Sequence, residues 1–353
     1  MRVVVTGATG NVGTSVIEAL AGDGRIGSLV GLARRLPSIV QPKTTWTAAD
    51  VSADDLVPIF RGADAVVHLA WRIQPSRDEP TMRRTNVYGS ERVFRATVAA
   101  GVPALIYASS VGAYSPGPKD RRVDESWPTG GIVTSAYSRH KSEVERLLDA
   151  FEGDVRIVRL RKALIFKREA ATEIRRLFLG PLFPASLLRP QLIRFVPRIP
   201  RLRFQVVHSR DVGEAYRRAI IGDSHGAFNI AAEPVIDPDE LSDMFGAWQV
   251  PVSAWPVRAL LSAAWRLRLQ PSDAGWLDLA LQTPLLDTAR ARGELGWIPR
   301  HSSRAALFEL LEGMRRGIGA DTPPLSPSGR AWSGVRELET GPASSRYRPD
   351  RAL

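Results

Sequence analysis

The pattern of this chain predicts an α/β fold, a doubly wound parallel sheet followed by a smaller, less regular C-terminal lobe. Three observations carry that prediction. Short apolar runs alternate with amphipathic stretches through the first half, the order that a parallel sheet with helices on both faces requires. The first run ends in a glycine-rich turn, Thr6-Gly7-Ala8-Thr9-Gly10-Asn11-Val12-Gly13, that leads into a helix. Past residue 165 the alternation loosens into apolar clusters punctuated by proline and arginine, as in 176–184.

Taken in order, strands are expected at 2–6, 28–33, 44–48, 65–70, 104–109 and 156–160, each short and rich in β-branched or apolar residues. The first helix spans 12–21: Val12, Val16, Ile17 and Leu20 share one face, and Gly22 stops it. A second spans 85–100, ended by Gly101 and Pro103, and a third spans 135–150. Two later pieces, a strand at 204–208 and a helix at 213–221, are expected to return to the main sheet, with Phe228-Asn229-Ile230 as a further strand. Residues 1–165 then form the first domain, and 166–318 mostly form the lobe with elements returning to the sheet at about 204–230. Proline- and serine-rich 319–353 carries too little periodic apolar content to pack and is expected to be a disordered tail.

The 353 residues contain no cysteine, which removes disulfides and thiolate metal sites and points to a reducing, cytoplasmic setting. The N-terminus has neither the apolar core of a secretory signal nor a run long enough to span a membrane. The five histidines are scattered, so no metal site is expected. The net charge of +11 concentrates between Arg156 and Arg218, where 16 Lys+Arg face 4 Asp+Glu. Without interleaved aromatics or a reading motif, this stretch does not support nucleic-acid binding. Across 174–204, arginines alternate with apolar clusters; a lid or substrate-domain wall is the favoured reading, and peripheral contact with an anionic membrane the other.

The glycine turn points to a dinucleotide. Gly7 allows the sharp turn, Gly10 allows the backbone to approach a pyrophosphate, and Gly13 allows the helix to pack against the strand. The free N–H groups of the helix start, at Asn11 and Val12, then face the phosphates, and the domain is Rossmann-type. After the second strand stand Arg34 and Arg35 where an acidic residue would take the ribose 2′-hydroxyl, so NADP is preferred over NAD. Asp50, after the third strand with Val51 beside it, is placed either to accept from the adenine amino group or to N-cap a helix in the stretch that follows.

In the third helix, Tyr137 and Lys141 lie four residues apart and therefore on one face. An ammonium beside a phenol favours the phenolate, so Lys141 is expected to draw the Tyr137 pKa down towards the range of general acid/base work. Ser109 and Ser110 end the fifth strand at the edge where open parallel sheets bind ligands. Ser110 is the preferred partner for a substrate oxygen.

Together these residues resemble an extended short-chain dehydrogenase/reductase of the NAD-dependent epimerase/dehydratase family. The resemblance is carried in order by Thr6-Gly7-x-x-Gly10-x-x-Gly13, Asp50-Val51, His68-Leu69-Ala70, Thr85-Asn86-Val87-x-Gly89, Ser109-Ser110-x-x-x-Tyr114, Tyr137-x-x-x-Lys141 and Leu295-Gly296-Trp297. It implies that Leu69 and Ala70 line the cofactor cleft, that Asn86 supports the active site from behind, and that two chains pack as a homodimer. Val111-Gly112 stands where family dehydratases carry Asp-Glu, and Arg161-Lys162 where many sugar-nucleotide members carry Arg-Pro. The expected activity is hydride transfer at a carbinol or ketone carbon of a small molecule, with Tyr137 as acid or base, Lys141 tuning it and Ser110 fixing the oxygen. The alternatives are a nucleotide-sugar epimerase with tightly bound NAD, which consumes no net cofactor, and a non-catalytic NADP sensor.

Overall fold

The computed structural model describes residues 1–73, 77–179 and 192–327. Its centre is a seven-stranded parallel sheet built from β1 (Arg2–Thr6), β2 (Ser28–Ala33), β3 (Thr44–Ala48), β4 (Ala65–His68), β5 (Ala104–Tyr107), β6 (Arg156–Lys162) and β7 (Gly226–Ile230). The spatial order is β7-β6-β5-β4-β1-β2-β3, so the winding reverses between β1 and β4, and a crevice opens at the carboxyl ends of those two strands.

Alternation along each strand divides the core into two layers. Val3 and Val5 of β1 face α1 (Asn11–Ala21) and α4 (Ser209–Ile221), joined there by Ile17, Leu20, Tyr216 and the fully buried Trp297. Val4, between them, faces the opposite layer, where Phe94 of α2 (Gly89–Ala99) and Val144 and Leu148 of α3 (Ala136–Asp149) close over β4 and β5. The Trp297 indole donates to the Asp211 carbonyl at 2.8 Å, which ties the Leu295-Gly296-Trp297 segment to α4.

Three features differ from the sequence reading. The helix expected at 85–100 opens as a π-helical turn, Arg84–Tyr88, before continuing as α2. The strand near 204–208 does not rejoin the main sheet: Val206–His208 pairs in parallel with Leu164–Phe166 as a separate two-stranded sheet, and β7 takes the edge position beside β6. Residues 319–327 are packed rather than disordered: Leu325 is fully buried, and the Thr322 hydroxyl donates to the Thr9 carbonyl at 2.8 Å. These contacts are tertiary, so a composition without periodicity gives no sign of them. The remainder of the expected tail, 328–353, and residues 180–191 of the basic apolar stretch lie outside the described residues. Among the described residues no helix is long and apolar enough to cross a membrane, and no cluster of His, Asp or Glu has the make-up of a metal site.

Candidate active site

The crevice is built on the contact between two turns. Gly7 has φ +68°, and a Cβ on it would stand 2.7 Å from the Ala70 nitrogen, so only glycine lets the turn after β1 meet the turn after β4. Leu69 N donates to the Thr6 carbonyl at 3.1 Å, and Ala70 N to the Thr6 hydroxyl at 3.3 Å. That hydroxyl also pairs with His68 Nδ1 at 2.8 Å, while His68 Nε2 meets the Ser90 hydroxyl at 2.8 Å. Burial, and then the charge of Lys141, hold the His68 pKa down at about 3, so His68 is a neutral structural link.

A dinucleotide fits the adjoining helix start. Gly10 caps α1 without a side-chain bond, and the first turn carries no carboxylate. Gly13 lies so close to the turn that a Cβ would come 2.4 Å from the Gly7 carbonyl. The half-buried helix end, its dipole and the close-packed glycines make a cradle for a pyrophosphate. Val12 packs against the core, and Asn11 donates to the Ile165 carbonyl at 3.1 Å, its Oδ1 buried without a partner among the described residues. Arg34 and Arg35 are exposed beyond β2, and among the described residues no carboxylate pairs with either. The Arg35 pKa is lowered by partial desolvation of its guanidinium and then by the positive charges of Arg34 and Arg176. Asp50 Oδ1 accepts from the Ser52 backbone at 2.9 Å and from its hydroxyl at 2.6 Å, so this carboxylate caps the turn. Val51 is buried in the layer under α2.

The two serines after β5 separate cleanly. The Ser109 hydroxyl donates to the buried Glu145, which is held by Arg161 through Nε at 3.0 Å and Nη2 at 3.1 Å and by Arg159 at 3.3 Å. The Ser110 hydroxyl instead accepts from Gly112 N at 3.0 Å and shares a hydrogen bond with Tyr137. The Tyr137 ring edge lies against Gly112. Lys141 Nζ donates to the Ala108 carbonyl at 2.6 Å and to the Tyr107 hydroxyl at 3.5 Å, beneath the face of Trp71 at 3.4 Å. Asn86, inside the π-helical turn, closes on the backbone of Arg72: its Oδ1 accepts from Arg72 N at 2.7 Å and its Nδ2 donates to Arg72 O at 2.8 Å. Asn86 therefore fixes the residue next to Trp71.

The electrostatics depart from the expectation for Tyr137. Burial pushes its pKa up to about 12, against the opposing hydrogen bond of Ser110. Lys141 does not draw it down, because its ammonium sits 6.0 Å from the Tyr137 ring centroid and is itself depressed by burial and by Lys162, with Glu145 acting in the other sense. Sequence reasoning missed three contributors. Trp71 directly follows His68-Leu69-Ala70, and Glu145 continues the helical spacing of Tyr137 and Lys141. Trp276, at 5.2 Å from the Tyr137 ring, comes from far along the chain and carries no local signal.

Comparison with known proteins agrees with this architecture. Residues 3–169 match the model of the NAD dependent epimerase/dehydratase family. Rv2047c of Mycobacterium tuberculosis is 26% identical over 322 residues, covering 90% of this chain; the chain spans 31% of that relative's length. A putative dihydroflavonol 4-reductase of Synechocystis is 25% identical over 337 residues, 87% of this chain and 92% of that protein. The solved UDP-glucose 4-epimerase of Thermotoga maritima, crystallised with UDP-glucose, superposes with a TM-score of 0.66 at 21% identity over 90% of this chain and 99% of that one, and so shares the fold. The glycine turn, the paired turns of β1 and β4 and the Tyr-Lys helix all fall inside residues 3–169, the span that matches the model of the NAD dependent epimerase/dehydratase family.

Proposed function

We propose that this chain is an NAD(P)-dependent oxidoreductase that acts on a ketone or secondary alcohol of a small molecule, preferring NADP and working in the reductive direction. The observation that carries the reading is the meeting of Ser110, Tyr137 and Lys141 at the carboxyl end of β5, beside the crevice that Gly7 and Ala70 enclose. A bound nicotinamide supplies the hydride. The protein supplies the rest. Ser110 offers a hydroxyl to the substrate oxygen, and Tyr137, protonated at neutral pH because burial raises its pKa to about 12, donates the proton to that oxygen. Lys141, desolvated and held by Ala108, would hold the ribose hydroxyls of a bound cofactor. Arg34 and Arg35 offer guanidinium groups to a 2′-phosphate. The name of the Synechocystis relative, a reductase, agrees with this reaction type.

The test is Tyr137→Phe with NADPH and a reducible ketone. Loss of about 10²–10⁴ in kcat is expected, the range for a removed general acid, while NADPH binding measured by fluorescence titration stays within a few-fold of the parent. Unchanged turnover in the variant would refute the assignment.

A further inference from the structure

Four rings from four separate segments run in series through the Tyr137 ring. Trp71 follows β4, Tyr137 stands in the first turn of α3, Trp276 lies in α5 (Gly275–Gln282), and Phe178 lies in the π-helical turn Arg175–Leu179. Successive ring centroids are 6.0, 5.2 and 4.9 Å apart. All four side chains are half-buried, so each is packed on one side and open on another.

This row is held in place rather than loosely collapsed. At Gly275 a Cβ would lie 2.4 Å from the Thr134 carbonyl, so α5 abuts the residues that start α3, and the next residue, Trp276, is set onto Tyr137. The Ser272 hydroxyl donates to the carbonyls of Leu177 at 3.1 Å and Phe178 at 3.4 Å, which joins the start of α5 to the turn carrying Phe178. Two cations near the row are already committed. Arg258 grips Asp278 of α5 through two bonds of 2.8 and 2.9 Å, and Lys141 is taken by Ala108 and the face of Trp71. A nucleotide sugar's diphosphate would find these two cations occupied. A flat apolar skeleton would meet ring faces, which attract one another beyond simple burial.

We propose, resting on the oxidoreductase reading, that the substrate class is a ketone or secondary alcohol on a flat ring skeleton, aromatic or fused alicyclic. Trp276 and Phe178 stack against the skeleton while Tyr137 and Ser110 hold its oxygen, which makes Trp276 a specificity residue.

The experiment is a binding titration of the full chain, followed by intrinsic tryptophan fluorescence with 1-tetralone and with UDP-glucose as probes, beside NADPH consumption with 1-tetralone and with acetone. The parent is expected to bind 1-tetralone saturably and to ignore UDP-glucose at the same concentration. Trp276→Leu is expected to weaken 1-tetralone binding about tenfold and to raise KM more than it lowers kcat, Trp276→Phe to recover most of the loss, and both to keep NADPH binding. Tight binding of UDP-glucose by the parent overturns the proposal without any variant. Equal binding of 1-tetralone by parent and Trp276→Leu overturns it as well, even if NADPH is consumed with acetone and the oxidoreductase reading stands. Conversely, 1-tetralone binding that depends on Trp276 but is accompanied by no nicotinamide turnover supports the pocket and defeats the oxidoreductase reading.

Discussion

The proposed preference for NADP rests on two guanidinium groups at the end of β2. Neither Arg34 nor Arg35 has a carboxylate partner among the described residues, and Arg35 already carries the repulsion of Arg34 and Arg176, so an incoming dianion relieves unfavourable charge as well as making bonds. Replacing Arg35 with Ser should therefore raise the Kd for NADPH by about 10- to 100-fold, the value of one or two charge-assisted bonds, while the Kd for NADH changes little. Equal losses for both cofactors in a fluorescence titration would remove Arg35 from the 2′-phosphate site. At this scale the sequence was legible where chemistry follows spacing: Tyr137 and Lys141 share a helix face, and Ser110 ends a strand. It was not legible where burial competes with charge, because whether Lys141 or desolvation governs the Tyr137 pKa depends on where the ammonium finally sits, against Ala108 and Trp71. Nor does any spacing connect Trp276 with Tyr137, since the link is the approach of Gly275 to Thr134 across the fold.

Among the elements, β1 and β2 fall where their apolar runs and flanking turns place them, because each is a local pattern read against a buried sheet. The segment 319–327 shows what such patterns miss. Thr322 donates to Thr9 inside the glycine turn, Leu325 is wholly buried, and Arg176 reaches the Pro324 carbonyl at 3.4 Å. The segment closes on itself through Ala320 N to Leu325 O and Leu325 N to Thr322 O, both at 3.0 Å. It thus straps the lobe to the turn that would cradle the pyrophosphate. Leu325→Ala should cost on the order of 2–5 kcal/mol, as for other buried leucines, seen as a lower Tm. It should also weaken NADPH binding, because Thr9 loses its support. A lower Tm with unaltered NADPH affinity would leave the strap as packing alone and detach it from the cofactor.

For the whole molecule, the division of labour between the two basic residues has a measurable consequence. Arginine outnumbers lysine 43 to 5, and four of the five lysines, Lys119, Lys141, Lys162 and Lys167, are buried. Lysine can shed its charge when desolvated, whereas arginine keeps its own and holds the surface. Lys162 donates to the Tyr216 hydroxyl at 2.8 Å, Lys119 to the Arg203 and Ala280 carbonyls at 2.7 and 2.8 Å, and Lys167 to the Thr14 and Ser15 hydroxyls at 2.6 and 3.1 Å. None of these bonds offers an opposite charge, and burial lowers the pKa from 10.5 to about 7 in Lys162 and Lys119 and to about 8 in Lys167. A group whose folded pKa is depressed adds stability that is complete above its unfolded pKa and is lost as pH falls through the folded value. The window here runs from pH 10.5 down to about 7, at no more than about 1.4 kcal/mol per pH unit for each lysine. Glu173, raised by burial to about 7, acts in the opposite sense but between 4.5 and 7, outside that window. The Tm should therefore climb between pH 7 and pH 9.5, on the alkaline side of the usual optimum. Lys162→Met should flatten the climb and should gain more Tm over the parent at pH 7 than at pH 9.5. A parent Tm that falls over this range, or a variant curve parallel to it, would mean that these lysines stay charged inside the fold.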